Sequence, residues 1–160
     1  MKKIVIDGHN LIPKIPGIQL SDPDDEEKLL EKVGEYCRLT RTRAELFFDG
    51  APPGTNSQSR HGMVNVHRVK LGTTADDAII RYLQKEGHNT RNILVVSSDH
   101  RVQAESKALK SNVVASERFA QLMMQILSTP AVSESKRELP PSEEEVEEML
   151  RLMTKNRGEK

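Results

Sequence analysis

Ile4-Val5-Ile6-Asp7-Gly8-His9-Asn10 is an apolar run that stops at a carboxylate, a glycine and two polar side chains. Read locally, it is a short buried strand that delivers Asp7 to its carboxyl end, and Gly8 permits the sharp exit. Later stretches repeat the design. Leu46-Phe47-Phe48 runs into Asp49-Gly50, Ile93-Leu94-Val95-Val96 runs through Ser97-Ser98 into Asp99, and Thr74-Ala75-Asp76-Asp77 opens an apolar helix. Parallel strands would put these ends on one edge of an open α/β sheet, where such folds bind their ligands. Acids far apart in the chain would meet there.

The 160 residues suit one domain with a core and a short appendage. Hydrophobic residues at 36% and no tryptophan make that core one of Ile, Leu, Val and Met. Lysine and arginine balance the acids to a formal net charge of +0, which neither demands nor excludes a nucleic-acid partner; the placement of the basic residues decides. Cys37 is the sole cysteine, so no intrachain disulfide and no cysteine-based zinc site can form, and it reads as a packed helix residue. The apolar run before Asp7 is too short for a signal-peptide core, and no stretch approaches membrane-spanning length. The expectation is a cytoplasmic protein without membrane partners.

After the first strand, Pro13, Pro16 and Gly17 argue against a helix and for an exposed connection. Ser21-Asp22-Pro23-Asp24-Asp25-Glu26-Glu27 loads acids onto a helix start, where they complement the macrodipole and read as a solvated first turn. Ala44 to Phe48 is the second strand. The polar stretch from Ala51 to Gly62 reads as a long loop, and Met63 to Val69 alternates as a half-exposed strand suited to a sheet edge. Thr74 and Asp77 fit a capping box, which occupies Asp77 and leaves Asp76 to point elsewhere, and Gly87 ends that helix. Ile93 to Val96 is a central parallel strand; a helix from His100 to Leu109, a strand from Asn112 to Ala115 and a helix from Ser116 to Leu127 complete the alternation. Residues 129–141 read as a linker, and 142–160 as an amphipathic helix and tail.

Carboxylates gathered at one edge repel one another unless a cation offsets their charge. With oxygen donors and no cysteine, Mg²⁺ or Mn²⁺ is the natural ion, and the combination suits phosphodiester hydrolysis. Each acid also has a plainer reading: Asp49-Gly50 is turn chemistry and Asp99 is a helix N-cap. Asn10 reads as an amide that orients Asp7 or a bound water, with a loop side chain bonded to backbone as the alternative. Ser97 and Ser98 are read as phosphate contacts or helix caps. Arg60, Arg68, Lys70 and Arg101, with Lys14, supply a positive rim for an RNA backbone, and His9, His61, His67 and His100 lie near the proposed edge or its loops without metal-ligand spacing. Aromatic residues are too few for a stacking platform.

Ile6-Asp7-Gly8-His9-Asn10, Phe48-Asp49-Gly50, Thr74-Ala75-Asp76-Asp77 and Val95-Val96-Ser97-Ser98-Asp99, in that order and spacing, resemble the YacP-like branch of the NYN family, part of the PIN-like nuclease group. The resemblance runs from Lys3 to about Leu127, and the closing Ser142-Glu143-Glu144-Glu145-Val146-Glu147 is similar to a C-terminal helix of many members. It implies a three-layer αβα sandwich with a mainly parallel sheet over residues 1–128 and metal-dependent endoribonuclease activity. By motif match, Asp7, Asp76 and Asp99 fall on the family's acidic positions, Asn10 on its asparagine and Asp49 on the acid ending the second strand. Some relatives cleave mRNA on ribosomes. The PIN group often carries its second acid on a helix, whereas here Asp49 would serve from a strand end.

The residues and the resemblance together give an expectation of water attack on single-stranded RNA to leave a 5′-phosphate. Asp7, Asp76 and Asp99 hold the metal with Asp49 in support, Asn10 and Ser97 or Ser98 position water and phosphate, and Arg60, His61, Arg68 and Arg101 contact the strand, with the 51–61 loop gripping it. The alternative is a non-catalytic RNA-binding or ribosome-interaction module on the same fold. A small-molecule phosphatase would want an Asp-x-Asp pair, and position 9 is His.

Overall fold

Ile4, Val5 and Ile6 offer no polar face, so the strand that carries them needs cover on both sides, and the fold supplies it. The computed structural model describes residues 3–51, 58–70 and 73–128. β1 (Lys3–Asp7) is followed by α1 (Gly8–Leu11), α2 (Asp25–Thr40), β2 (Arg43–Ala51), β3 (Gln58–His61) and β4 (Val64–Lys70). Then come α3 (Ala75–Glu86), β5 (Ile93–Val96), α4 (His100–Ala108), β6 (Asn112–Val114) and α5 (Ser116–Leu127). The sheet order is β3-β4-β2-β1-β5-β6, parallel except for the antiparallel pairing of β3 with β4.

Alternate strand residues point to opposite faces. Ile4, Ile6, Leu46 and Phe48 pack under α2 and α5 with Leu29, Val33, Tyr36, Phe119 and Met123. Val5, Phe47, Ile93 and Val95 pack under α3 and α4 with Ile79, Leu83 and Val102. This is the three-layer αβα sandwich with a mainly parallel sheet. β1 lies inside it, paired on one side with β2 and on the other with β5.

The helix limits follow from local chemistry. α2 buries Leu29, Val33, Tyr36, Cys37 and Thr40 at helical spacing and stops where Arg41 turns left-handed at φ 57°. Burial pushes the Cys37 thiol up to about 12, so it is a protonated packing group. Thr74 caps α3 by accepting a hydrogen bond from the Asp77 amide at 3.1 Å. Gly87 ends α3 with φ 59°.

The sequence expectation differs from the structure in two segments. The Pro13 region is not free of helix, because one turn of α1 leads into a 3-10 turn, Ile12–Lys14. Pro13 sits in the first turn, where its missing N–H would have had no partner. Val64 to Lys70 is also not the edge, since β3 covers it; Gln58 to His61 are all exposed and carry no hydrophobic alternation to betray a strand. The gripping loop falls largely on residues 52–57, and the linker and terminal helix on 129–160, outside the described residues. Among the described residues no helix is long and apolar enough to cross a membrane.

Candidate active site

β1, β2 and β5 are parallel, so Asp7, Asp49 and the Ser97-Ser98-Asp99 junction emerge at the same sheet edge. α3 starts above that edge because Asp49 reaches it: the Ala75 amide donates to Asp49 Oδ1 at 2.6 Å. This bond fixes the first turn of α3 and brings Asp76 to Asp7. Asp99 caps α4, accepting from the Val102 amide at 3.0 Å. The plainer reading of Asp99 as a cap thus describes one oxygen of its carboxylate, whereas Asp49 lies within β2 and bonds the start of α3 instead of making a turn with Gly50.

Asp7 is 6% exposed. Burial, then the charge of Asp76 and a hydrogen bond to it, push the Asp7 carboxyl up to about 7, and Asp49 adds to the push against a bond from the Asn10 backbone. Asp76 is raised too, by burial and by the charges of Asp99 and Asp49, against the hydrogen bond with Asp7 and the Arg101 charge. Burial and mutual repulsion thus disfavour ionising Asp7 and Asp76 together, with Asp49 adding to the repulsion on both and Asp99 to that on Asp76. Asp77 differs: its carboxylate pairs with Arg101 at 2.5 Å, and that bond first, with Thr74 assisting, holds it below the usual range.

Among the described residues no three Asp, Glu, His or Cys side chains stand close enough together to hold an ion alone. The donor chemistry of the edge nonetheless suits Mg²⁺ or Mn²⁺. Magnesium is commonly bound by one or two carboxylates, with water and substrate phosphate completing its shell, and Asp7 with Asp76 supplies two adjoining carboxyl groups whose mutual repulsion a cation relieves.

Gly8 makes the β1 exit possible. A Cβ there would lie 2.3 Å from Phe48 Cε1 and 3.0 Å from the Phe47 carbonyl oxygen. Asn10 then clasps the neighbouring junctions, its Oδ1 accepting from the Ser98 amide at 2.8 Å and from Ser116 Oγ at 2.6 Å. Ser98 Oγ accepts from the Ser116 amide and donates to Glu117. Ser97 Oγ accepts from the Asp99 amide at 3.1 Å, and the Ser97 carbonyl accepts from Gln103. Asn10, Ser97 and Ser98 therefore brace the edge on which the acids stand.

The basic residues divide. Arg101 stands by the acids through Asp77, whereas Arg68 lies across the sheet on the α2 side. Arg60 and His61 pair with Asn65 and Val64 at the amino end of β4, far from the acidic edge. Lys14 pairs with Glu117 at 3.6 Å, and the Lys70 side chain is outside the described residues. His100 is exposed at the start of α4. His67 stacks on Phe47, ring centroids 4.4 Å apart, and bonds the buried Glu45 at 2.5 Å. Burial alone would raise the Glu45 carboxyl, but His67, Asn65 and Lys3 outweigh it and hold it below its ordinary value.

Sequence reasoning missed the roles of Glu45 and Glu26. Glu45 is a charge inside an apolar strand, a signal that a partner must exist. Glu26 gave no signal among its acidic neighbours, yet it holds Arg68 and His9.

The sequence matches the YacP-like NYN domain over residues 4–158. Two crystal structures of Rae1 (YacP) from Bacillus subtilis have a similar fold. One is 21% identical with a TM-score of 0.65, covering 86% of this chain and 85% of that one. The other, of a point mutant, is 22% identical with a TM-score of 0.62, covering 88% and 92%. Among curated proteins, no sequence match is found.

Proposed function

The chain belongs to the YacP-like NYN domain family, a family of nuclease domains, and from that membership we propose that it is a metal-dependent endoribonuclease hydrolysing phosphodiester bonds of single-stranded RNA. The observation that carries the reading is the Asp7–Asp76 pair, two carboxyl groups driven together at the sheet edge with Asp49 and Asp99 beside them. Such an arrangement is costly for the fold and serves no packing purpose.

In this reading Asp7 and Asp76 hold the ion, Asp99 and Asp49 contribute charge and set the helix starts, and Asn10, Ser97 and Ser98 keep the edge rigid. A bound Mg²⁺ or Mn²⁺ supplies acidity to water and neutralises the phosphate. Asp7 and Asp76 would hold the ion and orient the attacking water; its attack on phosphorus would break the P–O3′ bond and leave a 5′-phosphate and a 3′-hydroxyl. Arg101, held by Asp77, adds positive charge where the strand passes. The RNA that the family resemblance suggests is mRNA in a translation context.

The test is cleavage of a labelled single-stranded RNA with Mg²⁺ or Mn²⁺ by the wild type, by a folded Asp76→Asn variant, and by the wild type in EDTA. Cutting by the wild type alone supports the proposal. Equal cutting in all three, or none by the wild type, overturns it.

A further inference from the structure

Glu26 lies in the acidic opening of α2, but it is occupied differently from its neighbours. Asp22 and Asp24 take Lys28, at 3.5 and 3.6 Å. Glu26 Oε1 instead accepts from the Arg68 guanidinium of β4, and its Oε2 is 2.8 Å from His9 Nε2. Both partners rest on one ring: the Arg68 guanidinium carbon is 5.4 Å from the centre of Phe48, and the His9 ring is 5.1 Å away at 47°. Phe48 also closes against Gly8. The cluster therefore adjoins the exit of β1, on the face opposite the Asp7–Asp76 pair.

The exposures are graded: the Arg68 side chain is 42% exposed, His9 31% and Glu26 25%. The Arg68 guanidinium is on the open side, with the His9 ring beside it and the carboxylate behind. A guanidinium has five donors in a planar fork, so the bond to Glu26 leaves others for a phosphate. We propose that Arg68 forms a phosphate subsite for the RNA strand leaving the acids, with the His9 ring packed beside it, and that Glu26 is its positioning residue; this rests on the RNA reading above.

Glu26 has opposing effects on such a phosphate. Its charge repels the anion, weakly at the surface and in salt. Its bonds hold a long, rotamer-rich arginine against the Phe48 ring before RNA arrives, so less freedom is lost on binding. A carboxylate with only the first effect would give tighter RNA binding when removed. A positioning residue gives weaker binding, so the sign of the change separates the two roles.

The experiment measures binding of a fluorescent single-stranded oligoribonucleotide to the full chain, in the non-cleaving Asp76→Asn background with Mg²⁺, across a salt series. Adding Glu26→Ala is expected to weaken binding about fivefold and to flatten the salt dependence, as adding Arg68→Ala does by about one phosphate contact. Glu26→Ala added to Arg68→Ala is expected to cost no more, because the positioned group is already gone. Glu26→Gln, which keeps an acceptor for Arg68, recovers part of the loss and keeps the test valid if the alanine variant folds poorly. Binding that is unchanged or tighter in both Glu26 variants overturns the subsite and leaves the RNA reading standing. No RNA binding by the background protein overturns both.

Discussion

Asp7 and Asp76 share a hydrogen bond between their carboxyl groups, although one ends a central strand and the other lies in the first turn of α3. The bond exists because the site brings together acids that cannot all ionise in isolation. It makes the metal-free protein sensitive to pH.

The Asp7 carboxyl rises from 3.8 to about 7 on folding. A raised value means that the folded state takes up the proton more readily, so this contribution to stability is complete below 3.8 and is lost as pH rises through about 7. In EDTA, Asp7→Asn is expected to melt above the wild type at pH 8, with a gap on the order of a few kcal/mol that closes towards pH 4. Adding Mg²⁺ at pH 8 raises the wild-type melting temperature and has a smaller effect on the variant. Thermal melts at both pH values, with and without the ion, check this; a variant melting below the wild type at pH 8 in EDTA contradicts it.

Glu45 carries the opposite sign. Its carboxyl is held below 4.5 against the effect of burial, so its stabilisation is present above 4.5 and is lost as pH falls through the folded value. Glu45→Gln is expected to cost about 1–3 kcal/mol at pH 7, and the difference from wild type shrinks in acid. Urea melts at pH 7 and pH 3.5 give the comparison.

Gly8 leaves no room for a methyl group, because Phe48 and the Phe47 carbonyl occupy it. Gly8→Ala is expected to lose about 1–3 kcal/mol by overpacking and to lower RNA cleavage more than its stability loss explains, since any relief moves the Asp7 exit. A variant with wild-type melting and turnover would show that the ring yields freely.

Asp76 and Asp77 are adjacent and chemically identical, yet one bonds Asp7 and the other bonds Arg101. Asp76→Asn is expected to lower cleavage by about 100-fold or more. Asp77→Asn should cost less than about 10-fold, since it breaks an exposed ion pair. Single-turnover rates with saturating enzyme check the ranking, and equal losses would move the site along α3.

Much of this edge was legible because strands announce themselves when an apolar run stops at an acid. Asp7, Asp49 and Asp99 were visible that way, and Thr74 set the phase of α3, which separated Asp76 from Asp77. β3 was illegible for the converse reason: Gln58, Ser59, Arg60 and His61 are all exposed and bury nothing. The rim of basic residues was only partly legible, because composition does not say at which end of β4 a residue lies. Arg60 and His61 went to the amino end, while Arg68 found Glu26, a partner that no local spacing encodes.

The sheet order also has a consequence for biosynthesis. β1 leaves the ribosome before β2 and β5 but lies between them, and Asp99 follows β5. A nascent chain that has made β1 to β4 holds Asp7 and Asp49 at an unfinished edge, without the strand that closes β1 on its second side or the Asn10 clasp to Ser98 and Ser116. Contacts of such long sequence separation form late. The acidic set is thus completed only once α3 and the residue after β5 have been made, so a nascent chain that stops before Asp99 lacks at least one of the four acids.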